Sequence, residues 1–290
     1  MANSETIVVT GATGQLGRLV IADLLSAATE AHVIGLVRNA VAAKDLADRG
    51  VELRTADYTN PASLAAGLAG ADKVLLISAN ELGQRTQQHR NVIEAAKKAG
   101  VKLLVYTSLL HADTSPMALA KEHRETEALI RDSGVPFIIL RNGWYTENYA
   151  GNAGPAIQHG AVLGSAQDGR IASASRADYA AAAAAVLTRS DIAPGQIYEL
   201  AGDEAYTLKQ FAAELSKQSG KSVIYKDMPE ADYKAALQGV GLPEPFAALL
   251  AESDAKAAKG SLFDDGRQLS KLIGRPTTTL AQTINAVLAK

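Results

Sequence analysis

The sequence predicts an α/β protein that is built on a doubly wound parallel sheet and carries a smaller, mostly helical C-terminal lobe. Short apolar segments rich in β-branched residues alternate with longer helix-patterned segments through the first half of the chain. This alternation is typical of consecutive βαβ units, which form parallel sheets. A glycine-rich turn also follows the first apolar segment directly, at residues 11–17. Helix-like stretches dominate from residue 207 onward, which predicts the helical lobe.

Six segments are predicted as strands of the sheet, at residues 6–10, 32–38, 51–58, 73–78, 103–108 and 136–141. Most are nearly continuously apolar, as expected for strands that helices cover on both faces. Asn60-Pro61 and Ser115-Pro116 each place a capping residue before a proline, so both pairs predict the start of a helix.

The second half of the chain is less regular. Glycines space irregular segments between residues 151 and 169, where we expect loops that shape a substrate site. The alanine run at residues 180–185 predicts a helix packed closely against the sheet. A break at residues 241–245, which contains two prolines, interrupts the helical lobe.

Composition excludes several classes of protein. Over 290 residues, 47% hydrophobic and 21% charged residues indicate a chain that folds throughout. The net charge of −2, without a basic cluster, disfavours nucleic acid and anionic membrane surfaces as partners. The absence of cysteine excludes disulfides and thiol chemistry. Without a leader pattern in residues 1–5 or a membrane-length apolar segment, we predict a cytoplasmic protein that is not inserted in a membrane.

The glycine-rich segment is the clearest functional motif. It consists of Gly11, Ala12, Thr13, Gly14, Gln15, Leu16 and Gly17. The first glycine permits a tight turn, the second lets the backbone approach phosphates, and the third lets the following helix pack on the strand. Backbone N–H groups at that helix start would bind a pyrophosphate. A simple strand-to-helix turn is the alternative, but the position on the first of six strands favours a Rossmann-like dinucleotide site.

The residue at the end of the second strand predicts which dinucleotide binds. An NAD site commonly has a carboxylate there, whereas this chain has Arg38. A guanidinium suits a 2′-phosphate, so Arg38 favours NADPH over NADH. A solvated arginine at a strand end is the alternative. We therefore predict a dinucleotide-binding Rossmann domain over residues 1–141, to which parts of 170–203 return, and a mainly substrate-binding lobe over 142–290.

Other strand ends should line the same crevice, because ligands of open α/β sheets bind beyond the carboxyl ends of the strands. The candidates are Asp57 and Tyr58 beside the adenine, Ser78, Ala79 and Asn80 beside the ribose and pyrophosphate, and Thr107 and Ser108 beside the nicotinamide. Each group could equally be an ordinary loop cap.

Aromatic and amide side chains follow the sixth strand. Trp144, Tyr145 and Tyr149 are the aromatic members, and a planar aromatic substrate could stack on them. Alternatively, Trp144 and Tyr145 form a hydrophobic seam between the lobe and the sheet.

Metal and hydrolase sites are not predicted. No two of the five histidines have the i, i+4 spacing of a helical metal site. The chain also lacks the Gly-x-Ser-x-Gly elbow of serine hydrolases and the Gly-Lys-Ser/Thr ending of a P-loop. Hydride transfer is the chemistry that remains.

Several segments resemble one known group of proteins. Val-Thr-Gly-Ala-Thr-Gly-Gln-Leu-Gly at residues 9–17 and Val-Arg-Asn at 37–39 look like the atypical short-chain dehydrogenase/reductases that include NmrA-like proteins. Residues 91–96, 106–116, 140–145 and 271–280 resemble the bacterial type 2 NAD(P)H:quinone oxidoreductases and, more distantly, the triphenylmethane reductases. The resemblance covers essentially the whole chain.

The resemblance implies an NADPH site and a quinone acceptor, without flavin. It adds cofactor contacts to residues 11–16, Arg38 and residues 78–80, namely Asn142, Gly143, Trp144, Tyr145, Thr146, Glu147 and Ser173. Ser173 rests on the resemblance alone.

One departure from the wider superfamily bears on mechanism. No Tyr-x-x-x-Lys occurs in the helix after the fifth strand, where catalytic members carry their proton donor, and Leu119 and His123 stand there instead. Alcohol chemistry needs such a donor, whereas a quinone yields a stabilised hydroquinone anion, so positioning supplies most of the catalysis. Ser108, His111 and His123 are the candidate assisting groups.

The sequence thus predicts two-electron reduction of quinones by NADPH. The alternative is an NADP-binding redox sensor of the NmrA type without catalysis, which the missing tyrosine fits equally well. Turnover distinguishes the two, and the sequence does not indicate an oligomeric state.

Overall fold

A computed structural model of the chain describes residues 4–27 and 30–289. Its strands are β1 (Thr6–Val9), β2 (His32–Val37), β3 (Glu52–Thr55), β4 (Lys73–Leu76), β5 (Leu103–Leu109), β6 (Phe137–Asn142), β7 (Ala161–Gly164), β8 (Ile197–Leu200) and β9 (Ile224–Asp227). Its α-helices are α1 (Gln15–Ser26), α2 (Lys44–Ala47), α3 (Pro61–Gly67), α4 (Arg85–Ala99), α5 (Ala118–Ser133), α6 (Thr146–Ala150), α7 (Ala153–His159), α8 (Arg176–Thr188), α9 (Leu208–Ser219), α10 (Glu230–Gly239), α11 (Glu244–Ala257), α12 (Gln268–Ile273) and α13 (Leu280–Leu288).

The main sheet confirms the predicted fold class. Within the described residues its order is β3-β2-β1-β4-β5-β6-β8, and neighbouring strands from β3 through β6 pair in parallel. The order reverses between β1 and β4, which is the switch point of a Rossmann-like sheet. All six predicted strands are present, and β8 is a seventh that the sequence patterns did not reveal.

Apolar strand residues place the core on the sheet. Val8, Ile34, Val74, Leu104 and Ile139 come from five different strands and are completely or almost completely buried in one cluster. This matches the near-continuous apolar character of strands that helices cover on both faces.

The alanine run forms part of α8, as predicted. Ala180, Ala182 and Ala183 are buried, and α8 packs along α1. Small side chains allow this close approach of two helices, because little volume lies between the backbones.

The two predicted helix starts have different outcomes. Asn60 caps α3, since its side-chain oxygen accepts from the N–H groups of Ala62 and Ser63 and Pro61 takes the first helical position. The prediction at Ser115-Pro116 is wrong, because α5 begins only at Ala118. Ser115 Oγ instead accepts a long hydrogen bond of 3.4 Å from the N–H of Met117, which holds a turn before the helix.

The chain divides into two compact units. The first comprises residues 1–112, 122–142 and 176–198, and the second comprises residues 113–121, 143–175 and 199–290. The second unit is mainly helical, with a parallel pair of short strands, β7 and β9, that was not predicted. Which ligand each unit binds stays a prediction, because compactness does not report binding. Among the described residues, no helix is long and apolar enough to cross a membrane.

Candidate functional site

The glycine loop lies between β1 and α1 and has little room for side chains. Gly11 has a φ of +58°, and the N–H of Gly14 donates to the Gly11 carbonyl at 2.9 Å. A Cβ on Gly17 would lie 2.4 Å from that carbonyl oxygen, and one on Gly14 would lie 3.2 Å from it. The turn therefore requires a glycine at position 17 and favours glycine at 11 and 14. Thr13, Gly14 and Gln15 are exposed at the start of α1, and the N-terminus of a helix is a favourable place for an anion.

Hydroxyl groups beneath the loop fix its position. Thr10 Oγ1 accepts from the backbone N–H of Ile77 at 3.0 Å and from the hydroxyl of Tyr58, which also lies 3.0 Å from the Ile77 carbonyl. Burial raises the pKa of Tyr58, so the phenol keeps its proton. Tyr58, predicted beside the adenine, is thus a bridge between the ends of β1 and β4.

Arg38 follows β2 and is free to reach solvent. Its side chain is 78% exposed, and its Nη1 lies 3.8 Å from Oε1 of Glu81. Asp57 follows β3, and its pKa is lowered by hydrogen bonds from Thr59 and, to a smaller extent, by the charge of Arg38. Arg38 and Asp57 are thus brought to one edge of the sheet, together with Glu81, which the sequence patterns did not single out.

Side chains of α4 form hydrogen bonds to the backbone of the segment Ser78, Ala79 and Asn80. The N–H of Ala79 donates to Nε2 of His89 at 2.9 Å, and Nε of Arg85 donates to the Ala79 carbonyl at 2.7 Å. The N–H of Ser78 donates to Thr107 Oγ1 at 2.9 Å. Thr107 therefore acts as a support of this segment, and Arg85 and His89 are supports that sequence patterns did not reveal.

The contacts of His89 define its tautomer. Nε2 accepts a hydrogen bond from the backbone N–H of Ala79, so the ring proton is on Nδ1, which lies 2.9 Å from Thr126 Oγ1. Burial lowers the pKa of His89 to about 3, with a smaller contribution from the charge of Arg85. The ring is therefore neutral at physiological pH and keeps its acceptor toward Ala79.

Ser108 lies in a buried ion-pair cluster. Its hydroxyl donates to Oε1 of Glu127 at 2.7 Å, and Arg141 donates to both oxygens of that carboxylate, at 2.9 and 2.8 Å. Burial acts to raise the pKa of Glu127, but the hydrogen bonds from Arg141 and Ser108 outweigh it and the pKa lies below its usual range. Glu127 is thus ionised and accepts the hydrogen bond of the Ser108 hydroxyl.

The two candidate histidines differ in environment. His123 is 4% exposed, its Nδ1 lies 2.7 Å from the hydroxyl of Tyr106, and burial lowers its pKa well below the usual range. His111 is partly exposed and has a φ of +53°, a conformation that is uncommon for residues other than glycine. Their roles as assisting groups stay predictions.

Asn142 ends β6 with an unusual side chain. The residue is 4% exposed, and its Oδ1 is one of three buried side-chain polar atoms without a hydrogen-bond partner among the described residues. Its backbone carbonyl accepts from the N–H of Leu110 at 2.9 Å, which fixes the residue. A buried unpaired carbonyl oxygen costs free energy unless a ligand or water supplies a donor.

In the second unit, the segment after β6 meets the segment around Ser173. Tyr145 and Ala174 form a parallel bridge, and Thr146 Oγ1 lies 2.8 Å from Ser173 Oγ. Ser173 Oγ also lies 2.6 Å from the hydroxyl of Tyr206. The structure thus brings Ser173, which only the resemblance indicated, beside Thr146.

The remaining predicted residues of that segment vary in exposure. Gly143 and Trp144 are buried, whereas Tyr145, Glu147 and Tyr149 are partly exposed. The burial of Trp144 leaves Tyr145 and Tyr149 as the aromatic side chains that a planar ligand can contact. No group of three or more His, Cys, Asp or Glu side chains that could hold a metal occurs in residues 4–27 and 30–289.

Comparisons with known proteins cover nearly the whole chain. The sequence profile of the NmrA-like family matches residues 3–285. Quinone oxidoreductase 2 of Escherichia coli (strain K12) is 56% identical over 279 residues, which is 96% of this chain and 97% of that protein.

Solved structures agree in fold. A crystal structure of the NADPH-dependent quinone oxidoreductase QOR2 of Escherichia coli in complex with NADPH superposes with a TM-score of 0.94 at 56% identity, covering 97% of this chain and 99% of that chain. Triphenylmethane reductase of Citrobacter sp. in complex with NADP(H) gives a TM-score of 0.92 at 38% identity, again covering 97% and 99%.

Proposed function

Since the chain belongs to the NmrA-like family, we propose that it reduces quinones by two electrons, with NADPH as hydride donor and without flavin. The observation that carries this proposal is the glycine loop at residues 11–17, which follows β1 in a chain similar over 96% of its length to a quinone oxidoreductase. The glycine loop supports the binding of a dinucleotide, and the similarity supports a quinone as the hydride acceptor.

The residues of the first unit fit a dinucleotide. Gly11, Gly14 and Gly17 keep the backbone open where phosphate oxygens would accept from N–H groups of the start of α1. Asn142 Oδ1 is a buried acceptor without a donor, and a carboxamide N–H₂ is a group that would satisfy it. Ala12, Thr13, Gln15, Leu16, Asp57 and residues 78–80 are further proposed contacts.

Arg38 is the proposed partner of the 2′-phosphate. Its guanidinium is exposed, and the Glu81 carboxylate with which it forms an ion pair lies 3.8 Å away, longer than a hydrogen bond. A phosphate dianion would outcompete this loose contact, because charge-assisted hydrogen bonds to a fork of donors are stronger. The same carboxylate repels the phosphate, so the preference for NADPH is a balance between Arg38 and Glu81.

The second unit supplies further proposed contacts. Thr146 and Ser173 share a hydrogen bond, and Gly143, Trp144, Tyr145 and Glu147 belong to the same chain segment. Partly exposed Tyr145 and Tyr149 offer aromatic faces to a quinone.

Bound NADPH supplies a hydride, and the acceptor then needs one proton. Among the predicted assisting groups, Ser108 and His123 are buried and hydrogen bonded to Glu127 and Tyr106, which joins β5 to α5, and their catalytic roles stay proposals. His111, which is partly exposed, remains a proposed assisting group.

Steady-state assays of the purified chain test the proposal. We expect NADPH oxidation with 1,4-benzoquinone, one hydroquinone per NADPH, and no flavin absorbance in the active protein. Binding of NADPH without turnover by any quinone would contradict the proposal and favour a redox sensor.

Two glycine variants provide a matched test of the role of the glycine loop in NADPH binding. Gly17→Ala places a Cβ 2.4 Å from the Gly11 carbonyl oxygen, whereas Gly154→Ala has no atom within 4 Å of its Cβ. We expect the first variant to lose NADPH binding and the second to retain it. Equal NADPH affinities would contradict the position of the cofactor.

A further inference from the structure

A carboxyl group with neutral partners is buried in the second unit. Asp254 on α11 is 3% exposed. The hydroxyl of Tyr149 donates to its Oδ1 at 2.8 Å, and the N–H of Ser165 donates to its Oδ2 at 3.1 Å. Burial, which these two hydrogen bonds only partly offset, raises the pKa of Asp254 to about 6. The acid form is therefore accessible near neutral pH, unlike that of an ordinary aspartate.

The two oxygens of Asp254 are not equivalent. A backbone N–H can only donate, so Oδ2 has to remain an acceptor and the proton of the acid form belongs on Oδ1. Oδ1 is the oxygen that faces the hydroxyl of Tyr149. In its acid form, Asp254 donates to the tyrosine oxygen, and the hydrogen of Tyr149 is then free to turn toward another acceptor.

Tyr149 lies on the same face of α6 as Thr146. It follows Thr146 by three residues, and residues with this spacing share one face of a helix. Thr146 is hydrogen bonded to Ser173, and both are proposed cofactor contacts. Tyr149 is partly exposed although Asp254 is not, so the tyrosine hydroxyl connects the buried acid with that face. Its pKa is raised well above the usual range, mainly by burial, so it is a phenol before turnover.

Other titratable groups around Asp254 lie on β9, on α10 and in the segment before α9. On β9, Tyr225 donates to Asp227 Oδ1 at 2.6 Å, and the negative charge of Asp227 favours the acid form of Asp254. Tyr233 on α10 and Tyr206 before α9 have pKa values that burial raises, so both stay neutral. None of these groups brings a positive charge to Asp254.

We propose that Tyr149 and Asp254 deliver the proton to the reduced quinone, with Tyr149 as the catalytic donor and Asp254 as the positioning and relay residue behind it. This rests on the proposed function, because a proton acceptor exists only if a quinone is reduced. The pair takes the place of the tyrosine and lysine that the helix after the fifth strand lacks.

The step balances in protons and electrons. Hydride transfer from NADPH converts the quinone to a hydroquinone monoanion, which carries both electrons. The Oη–H bond of Tyr149 breaks and an O–H bond forms on the anion, while the Oδ1–H bond of Asp254 breaks and restores the tyrosine hydroxyl. After product release, one proton from bulk solvent returns to Asp254 through the hydroxyl of Tyr149, so each turnover consumes one solvent proton.

Two quinones of opposite proton demand test the pair. The hydroquinone anion of tetramethyl-1,4-benzoquinone is basic and needs a proton, whereas that of tetrachloro-1,4-benzoquinone is weakly basic and needs none during the reaction. We expect Tyr149→Phe and Asp254→Asn to lower kcat with the tetramethyl compound by about a hundredfold, which is the usual contribution of a general acid. With the tetrachloro compound and in NADPH affinity, we expect changes below about threefold.

The pH dependence supplies a readout that a structural role would not produce. With the tetramethyl quinone, wild-type kcat should fall as pH rises through about 6, because Asp254 loses the proton that it relays. Asp254→Asn should lack this fall in kcat. Wild type should also show the infrared carbonyl band of a protonated carboxyl that titrates near this pH, and this band should be absent from Asp254→Asn.

Asp227→Asn is the matched control, since Asp227 also accepts a tyrosine hydroxyl but is exposed. It should retain kcat at low pH and shift the fall to lower pH, because the negative charge that favours protonated Asp254 is removed.

The outcomes separate the two proposals. If wild type reduces neither quinone, the proposed function fails. If wild type reduces both and the variants slow both equally, or if the pH dependence survives in Asp254→Asn, the proton-delivery pair is wrong while the proposed function stands.

Discussion

Glu127 in the first unit and Asp254 in the second are both almost completely buried, yet their pKa values shift in opposite directions. Two arginines and a serine hydroxyl contact Glu127, whereas a tyrosine hydroxyl and a backbone amide contact Asp254. Burial disfavours the charged form of both groups, and the difference between their partners accounts for the opposite directions. A carboxylate beside guanidinium groups serves as a permanent structural anion, and one beside neutral donors can exchange a proton.

The largest expected effect follows from breaking the charged cluster. Glu127→Gln removes the negative charge of the carboxylate to which Arg141, which is 4% exposed, donates hydrogen bonds at 2.9 and 2.8 Å. We expect the free energy of unfolding to fall by about 3–5 kcal/mol, as when one partner of a buried pair is removed. Urea denaturation at neutral pH measures this. Arg131→Gln removes the exposed end of the same cluster and should cost below about 1 kcal/mol; equal losses would show that solvent reaches Arg141.

The second effect concerns the neutral environment of Asp254. The pKa of Asp254 is about 6 in the folded protein and near the ordinary aspartate value of 3.8 in the unfolded chain. The folded state therefore binds more protons between these values, and stability falls as pH rises through them, by about 3 kcal/mol in total. Denaturation midpoints at a series of pH values measure the slope. Asp254→Asn should remove this slope, and a slope unchanged by the substitution would assign it to other groups.

Arg38 and Glu81 form an ion pair at the surface, where water screens both charges. Arg38→Asp removes the proposed 2′-phosphate partner and adds a repelling charge. We expect the ratio of NADPH to NADH affinity to fall by about ten- to a hundredfold, which corresponds to the loss of hydrogen bonds to a charged group. Fluorescence titration with each cofactor measures the ratio. Unchanged selectivity would remove Arg38 from the cofactor site.

The smallest effect is expected at Glu81, the loose partner of Arg38. Glu81→Gln removes a charge that competes with the phosphate, so NADPH affinity should rise by about two- to fivefold, the range of an exposed ion pair. NADH affinity should not change, because it has no phosphate at that position. A parallel rise for both cofactors would indicate a change in loop structure instead.

The sequence predicted those parts of the molecule in which neighbouring residues carry the information. The glycine loop, Arg38 and the six central strands depend on short segments whose periodicity and turn residues are visible locally. The missed strands β7 and β9 have the same length as β1, β3 and β4, but within the described residues they pair only with each other, and β9 is mostly exposed and lacks a buried apolar run. Their pairing joins segments about sixty residues apart, with Ala161 opposite Ile224.

The same limit applies to the side-chain networks. Tyr149 and Asp254 are 105 residues apart in sequence, and nothing near Asp254 in the sequence indicates that its carboxyl is buried without a cation. Ser115 shows a related limit, since a capping residue before proline is compatible with a turn as well as with a helix start. Long-range burial, rather than local pattern, therefore decides which polar residues acquire unusual chemistry.

The hydrogen bonds of Ala79 determine how fast its backbone amide, beside the proposed cofactor site, exchanges with solvent. Both its N–H and its carbonyl are held by side chains of α4, through His89 and Arg85. Hydrogen–deuterium exchange at this amide therefore requires α4 to move, even though Ala79 lies outside every strand and helix. We expect Ala79 to exchange with the slow amides of α4 rather than with the fast amides of ordinary loops, so this loop shares the opening events of a helix.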